Sequence, residues 1–229
     1  MRRSTLFALI LLVVIGGLLA VWRGGHIPAR FDPLAPLDLA EALNPVTAAK
    51  LWLMEGNNRA CVSALRRAGV ALIEMPKRST KPDCALNGTV LISRLSRASF
   101  NPEEMRCDMA LRLYLFERHG IQPLAQKHLG AAVTRINHFG SYSCRTIAGS
   151  DRMSEHATAN AFDISGFTLG DGKTVTLKRD WTGGGASSRF LHDLRVRACL
   201  LFNLVLSPDY NADHEDHFHL DMGRHMACH

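Results

Sequence analysis

Residues 214–221 read His214-Glu215-Asp216-His217-Phe218-His219-Leu220-Asp221. From His217 onward polar and apolar side chains alternate, which is the period of a β-strand with one face on a core. Phe218 and Leu220 fall on the core face, while His217, His219 and Asp221 share the other. Imidazoles are costly to pack in apolar surroundings without partners. Neutral imidazole and carboxylate are good zinc donors, so a metal is the natural partner for that face.

A second stretch, Ser154-Glu155-His156-Ala157-Thr158-Ala159-Asn160-Ala161-Phe162-Asp163, offers two further donors. His156 and Asp163 are seven positions apart. That odd separation would place them on opposite faces of one continuous strand. They converge only if His156 lies in a turn entering the strand and Asp163 lies on the strand itself. Ser154 is expected to hold a ligand in place by a hydrogen bond from behind, and His214 to be a loop histidine or to play the same supporting part. The plainer reading is a surface histidine cluster near a chain end that also carries His225 and His229. Two separate ligand patterns in one exported domain argue against it.

Outward from these stretches the pattern is that of an α+β fold. A small antiparallel sheet carries the metal site, helices pack on one side, and disulfides stabilise the whole. Cys61, Leu65 and Ala68 share a helical face that Gly69 would end. Val70 to Met75, Thr89 to Leu95 and Ala131 to Asn137 read as strands. Asn101-Pro102-Glu103-Glu104 has a capping residue, a first-turn proline and acids for the dipole, so a helix is expected from there to about Arg118. A further helix spans Pro123 to Leu129 and stops at Gly130. Strands over Ala161–Leu169 and Thr174–Arg179 flank the turn signal Gly170-Asp171-Gly172-Lys173. Phe190, Leu191, Leu194, Ala198, Leu201 and Phe202 fall at helical spacing.

The N-terminus sets the compartment. Arg2 and Arg3 precede an uncharged stretch from Ser4 to Trp22, which marks a secretory signal or an N-terminal anchor with its arginines in the cytoplasm. No Ala-x-Ala site follows, which favours retention in a bacterial inner membrane through residues 4–22, with cleavage to a soluble periplasmic form as the alternative. Residues 23–46 carry prolines at 28, 33, 36 and 45 and read as a semi-extended tether, so the domain is expected over residues 47–229. Six cysteines, Cys61, Cys84, Cys107, Cys144, Cys199 and Cys228, all follow the anchor. In an exported chain they read as three disulfides of undetermined pairing, and no Cys-x-x-Cys pair suggests a thiolate metal site. The net charge of +6 suits an acidic partner. No basic-aromatic run, zinc finger or P-loop points to nucleic acid.

Jointly, the motifs are recognisable. Ser154-x-His156-x-x-x-x-Ala161-x-Asp163 followed by His217-x-His219 resembles the zinc peptidases that cleave D-alanyl-D-alanine and related bonds in bacterial cell walls. Gly140-Ser-Tyr-Ser-Cys-Arg145, Ser154-Glu-His-Ala, Ala161-Phe-Asp-Ile164 and His217-Phe-His-Leu-Asp221 look more closely like the bacterial extensin-like C-terminal domain family, over about residues 55–229. The resemblance implies zinc bound by His156, Asp163 and His219, with Arg145 as oxyanion stabiliser. Two departures stand out: Ala159 replaces the usual glycine, and Ser143 and Cys144 separate Arg145 from the preceding Gly-Ser-Tyr.

The implied reaction is metal-assisted hydrolysis beside D-alanine in peptidoglycan stem peptides. A membrane tether favours an endopeptidase on cross-links over a carboxypeptidase. Either Asp216 or His217 takes the water proton. Strand alternation favours His217, which shares the face of His219. A metal-stabilised module that binds cell wall without turnover is the alternative, and so is an interaction protein held by its disulfides.

Overall fold

The computed structural model describes residues 3–25, 27–79 and 81–229. They form two compact units, one ending at Leu53 and one beginning at Met54.

In the first unit, helix α1 spans Arg3–Arg23. Its stretch Thr5–Trp22 is long and apolar enough to cross a membrane, a test that a signal sequence also meets. At 1.5 Å per residue those 18 residues cover about 27 Å, close to the hydrocarbon thickness of a bilayer. The proline-rich stretch beyond is not simply extended. It contains a 3-10 turn at Ala29–Phe31, and Asp32 and Asp38 accept from the amides of Leu34 and Ala40. Helix α2 (Pro45–Met54) starts where Asn44 Oδ1 accepts from the Val46 amide at 2.8 Å and Thr47 Oγ1 accepts from the Asn44 amide at 3.1 Å. Each side chain thereby satisfies a free donor at the helix entry.

The second unit is α+β, as the sequence pattern indicates. Asn57 caps α3 (Asn58–Arg67), and the helix ends through Gly69 at φ 81°, with the Val70 amide donating back to Leu65. The strands are β1 (Ile73–Glu74), β2 (Arg78–Ser79), β3 (Ala85–Leu86), β4 (Thr89–Arg94), β5 (Ser99–Arg106), β6 (Val133–Gly140), β7 (Ala161–Leu169), β8 (Thr174–Thr176), β9 (Leu204–Leu206), β10 (Phe218–Asp221) and β11 (Ala227–Cys228). Nine form one sheet in the order β1-β4-β5-β6-β7-β10-β9-β11, with β8 also paired to β7, while β2 and β3 form a separate ribbon. Pairing is antiparallel except between β5 and β6 and between β9 and β11. The sheet is thus broader than the small one expected, and several of the added strands are only two or three residues long, too short to show a period in the sequence.

The expected helix start at Asn101 is instead strand β5. Phe100 and Met105 are buried, and Met105, Glu104 and Glu103 lie opposite Val90, Leu91 and Ile92. The register shifts between Ile92 and Arg94, so Pro102 sits at an irregularity, where a strand tolerates proline. The two acids serve distant partners rather than a helix dipole: Glu104 accepts from Thr89 Oγ1 at 2.6 Å and pairs with Arg78, and Glu103 accepts from the Ser141 amide at 3.0 Å. The helix begins later, as α4 (Cys107–Phe116), and continues through a π-helical turn at Glu117–Ile121 into α5 (Gln122–Leu129), which Gly130 ends at φ 67°. Fully buried Glu117 holds that turn by accepting from the amides of Arg97 and Ala98 and from Gln122 Nε2.

Strand β8 is also shorter than expected. Thr176 accepts from the Arg179 amide and turns the chain into α6 (Leu177–Asp180). Helix α7 (Ala186–Ala198) buries Phe190, Leu191, Leu194 and Ala198 as its spacing requires. All six cysteines pair: Cys61 with Cys107, Cys84 with Cys144, and Cys199 with Cys228.

Candidate metal centre

Strands β7 and β10 are antiparallel neighbours, and their register sets Asp163 directly opposite His219. Phe162, Ile164, Phe218 and Leu220 on the other face are fully buried, which pins both strands and fixes where the polar side chains project. His156 arrives from a 3-10 turn, Glu155–Thr158, immediately before β7. Ser154 caps this turn by accepting from the His156 amide at 3.3 Å. The turn closes on Ala159, the one non-glycine among the described residues with positive φ, at 54°. This left-handed conformation is one that glycine adopts without strain and alanine does not.

The three side chains meet. His156 Nε2 lies 3.1 Å from Asp163 Oδ2 and 3.1 Å from His219 Nδ1, and His219 Nδ1 lies 2.9 Å from Asp163 Oδ1. Their nearest ligand atoms all fall within 4.8 Å of one another. The far nitrogens are occupied: His156 Nδ1 donates to the Ser141 carbonyl at 2.7 Å, and His219 Nε2 donates to Asp221 Oδ2 at 3.1 Å. Each histidine thus gives its outer N–H to a fixed acceptor and turns its inner nitrogen to the cluster, to share a proton with Asp163 or to offer a lone pair to a metal. Two lone pairs and a carboxylate converging in a buried site call for a cation or a shared proton. The donor set, two imidazoles and one carboxylate, fits zinc.

The electrostatics show the same demand. Burial pushes the His219 imidazolium down, but hydrogen bonds to Asp163 and Asp221 and their negative charge outweigh it and raise the pKa to about 9. Burial pushes Asp163 up, yet hydrogen bonds from His156 and His219, and their charge, hold it well below the usual carboxylate range.

His217 stands just before β10, with Nε2 3.9 Å from Asp163 Oδ1. Its Nδ1 is 2.8 Å from Asp216 Oδ1. The two residues are thus arranged in series, His217 toward the cluster and Asp216 behind it. His214 belongs to a 3-10 turn, Ala212–His214, and bonds Asn211 Oδ1 through Nδ1 at 2.6 Å. Its ring lies 5.1 Å from that of His217 and 6.0 Å from that of His219. Burial, then the nearby His217 and His219, lower its pKa to about 4, so it is a neutral wall of the site at ordinary pH.

Arg145 is not brought in. Its carbonyl accepts from the Ser154 amide at 3.1 Å within a small hairpin closed by the Thr146–Met153 bridge. The side chain is exposed, and its guanidinium bonds the Thr146 carbonyl rather than any member of the cluster. Three contributors escaped the sequence. The Ser141 carbonyl carries no side-chain signal. Asp221 was placed on the correct face by alternation but not given its partner His219. Phe139, 61% exposed with its ring 5.6 Å from His217, looks in sequence like any strand residue.

A broad, mostly antiparallel sheet thus brings Asp163 on β7 and His219 on β10 together with His156 from the turn before β7. Residues 59–229 match the family described as extensin-like protein C-terminus, and the chain belongs to it. No curated protein and no solved structure matches the chain.

Proposed function

We propose that the protein is a zinc-dependent peptidase related to the D-alanyl-D-alanine carboxypeptidases and endopeptidases. It acts on bonds next to D-alanine in peptidoglycan stem peptides and is held at the outer side of a bacterial inner membrane by α1. The observation that carries this reading is the convergence of His156 Nε2, His219 Nδ1 and the Asp163 carboxylate, with both outer nitrogens already committed. These three residues would hold the zinc, which supplies a Lewis acid that polarises a carbonyl and lowers the pKa of water toward about 7. His217 Nε2, on the cluster side, accepts the water proton and returns it to the leaving amine. Asp216 accepts from His217 Nδ1, fixes the tautomer that leaves Nε2 free, and steadies the imidazolium once formed. His214, kept neutral, adds no positive charge to oppose that protonation.

Arg145, expected to stabilise the oxyanion, is exposed and bonds the Thr146 carbonyl, and that placement favours the other reading, a metal-stabilised module that binds cell wall without turnover. Purified full-length protein should hold one zinc. His156→Ala, Asp163→Ala and His219→Ala should each lose it, while His217→Ala keeps the metal and loses hydrolysis. Zinc retained by His219→Ala would break the ligand set, and turnover retained by His217→Ala would transfer the base to Asp216.

A further inference from the structure

Phe139 precedes the last residue of β6. Its neighbour His138 turns to the core face, where the ring stacks on Phe162 at 4.9 Å and meets Phe100 edge-on at 5.7 Å. The pairing with β7 shifts between His138, opposite Ile164, and Gly140, opposite Asp163, so Phe139 sits at a bulge beside Asp163, and its contact with His217 places it on the side of the cluster. There the Phe139 ring meets His217 nearly perpendicularly at 5.6 Å and remains 61% exposed. A lone exposed apolar residue is ordinary on a protein surface. This one adjoins the histidine that handles the proton. The strand residues of the cluster on that face, Asp163, His219 and Asp221, are polar, so Phe139 supplies the apolar surface beside His217.

We propose that Phe139 is a specificity-determining residue that packs against the methyl group of the D-alanine whose carbonyl is attacked. The inference rests on the peptidase reading above. That D-alanine is common to both candidate bonds, the cross-link and the pentapeptide end. An aromatic wall rewards a methyl group over a hydrogen, and one methyl in an apolar subsite is worth about tenfold in kcat/KM.

The test compares kcat/KM for two synthetic stem peptides, one with D-alanine and one with glycine on the acyl side of the scissile bond. The zinc-loaded full-length protein in detergent should prefer D-alanine by about tenfold. Phe139→Ala should bring the ratio to within about twofold with zinc content intact, and Phe139→Leu should restore the preference. A Phe139→Ala protein that loses rate on both peptides equally, or keeps the native ratio, overturns the role of Phe139 and leaves the peptidase reading standing. If no zinc-loaded form cleaves either peptide, the peptidase reading falls and the inference with it.

Discussion

Asp221 is the residue through which the account of the metal centre can be probed without touching a ligand. It is 4% exposed and does two jobs: Oδ2 accepts from His219 Nε2 at 3.1 Å, and Oδ1 accepts from the Gly223 amide at 2.8 Å. Asp221→Ala removes both acceptors and leaves two buried N–H groups unpaired. Each unpaired group costs about 1–3 kcal/mol, so the metal-free protein should lose about 2–6 kcal/mol of stability. The effect on zinc is separate. Without the carboxylate, His219 is free to rotate or to change tautomer, and loss of such an outer partner typically weakens metal binding about 10–100-fold. Asp221→Asn keeps an acceptor and most of the shape but not the charge, and should fall between. Chelator competition gives the zinc affinity, and urea unfolding of the metal-free forms gives the stability. An Asp221→Ala protein that binds zinc as tightly as the parent would mean that His219 is not positioned through Asp221, and the ligand assignment would have to be rebuilt.

Three other outcomes are expected. The Cys84–Cys144 disulfide fastens the segment whose Ser141 carbonyl and Ser143 amide both bond His156, so the Cys84→Ser, Cys144→Ser double variant should bind zinc more weakly as well as losing up to about 4 kcal/mol of stability; unchanged zinc affinity would show that the clamp does not reach the site. His219 of the metal-free protein titrates at about 9, above the ordinary imidazole value of about 6.5. Its stabilisation is therefore complete below pH ~6.5 and lost as pH rises through ~9, while zinc affinity climbs about tenfold per pH unit over the same interval because metal displaces the proton; affinity independent of pH from 7 to 9 would contradict the shift. The retained anchor predicts extraction only with detergent; release by osmotic shock, or a mature chain starting near Gly24, would mean that the segment is a cleaved signal.

The parts of this architecture carried by short-range periodicity were legible in the sequence. Alternation over His217–Asp221 gave both the core face and the polar face of β10, and the odd spacing of His156 and Asp163 required the turn that Glu155–Thr158 forms. What local pattern could not reveal were long-range partners. Asn101-Pro102-Glu103-Glu104 has every local mark of a helix start, yet its acids are claimed by Arg78, Thr89 and Ser141, residues far away in the chain. The disulfide pairing and the Ser141 carbonyl behind His156 are tertiary facts of the same kind. Arg145 shows the converse. The family resemblance implied a role for it, whereas its backbone bonds Ser154 in a hairpin and its side chain is exposed.

The most direct test is to incubate zinc-loaded full-length protein in detergent with purified cross-linked muropeptides and follow the products by mass. Dimers should become monomers, the reaction should stop with chelator and return with zinc, and His217→Ala with its zinc in place should be inert. Bound zinc without any product, from dimers or from pentapeptide ends, would contradict the peptidase and leave a protein that binds the cell wall without cutting it.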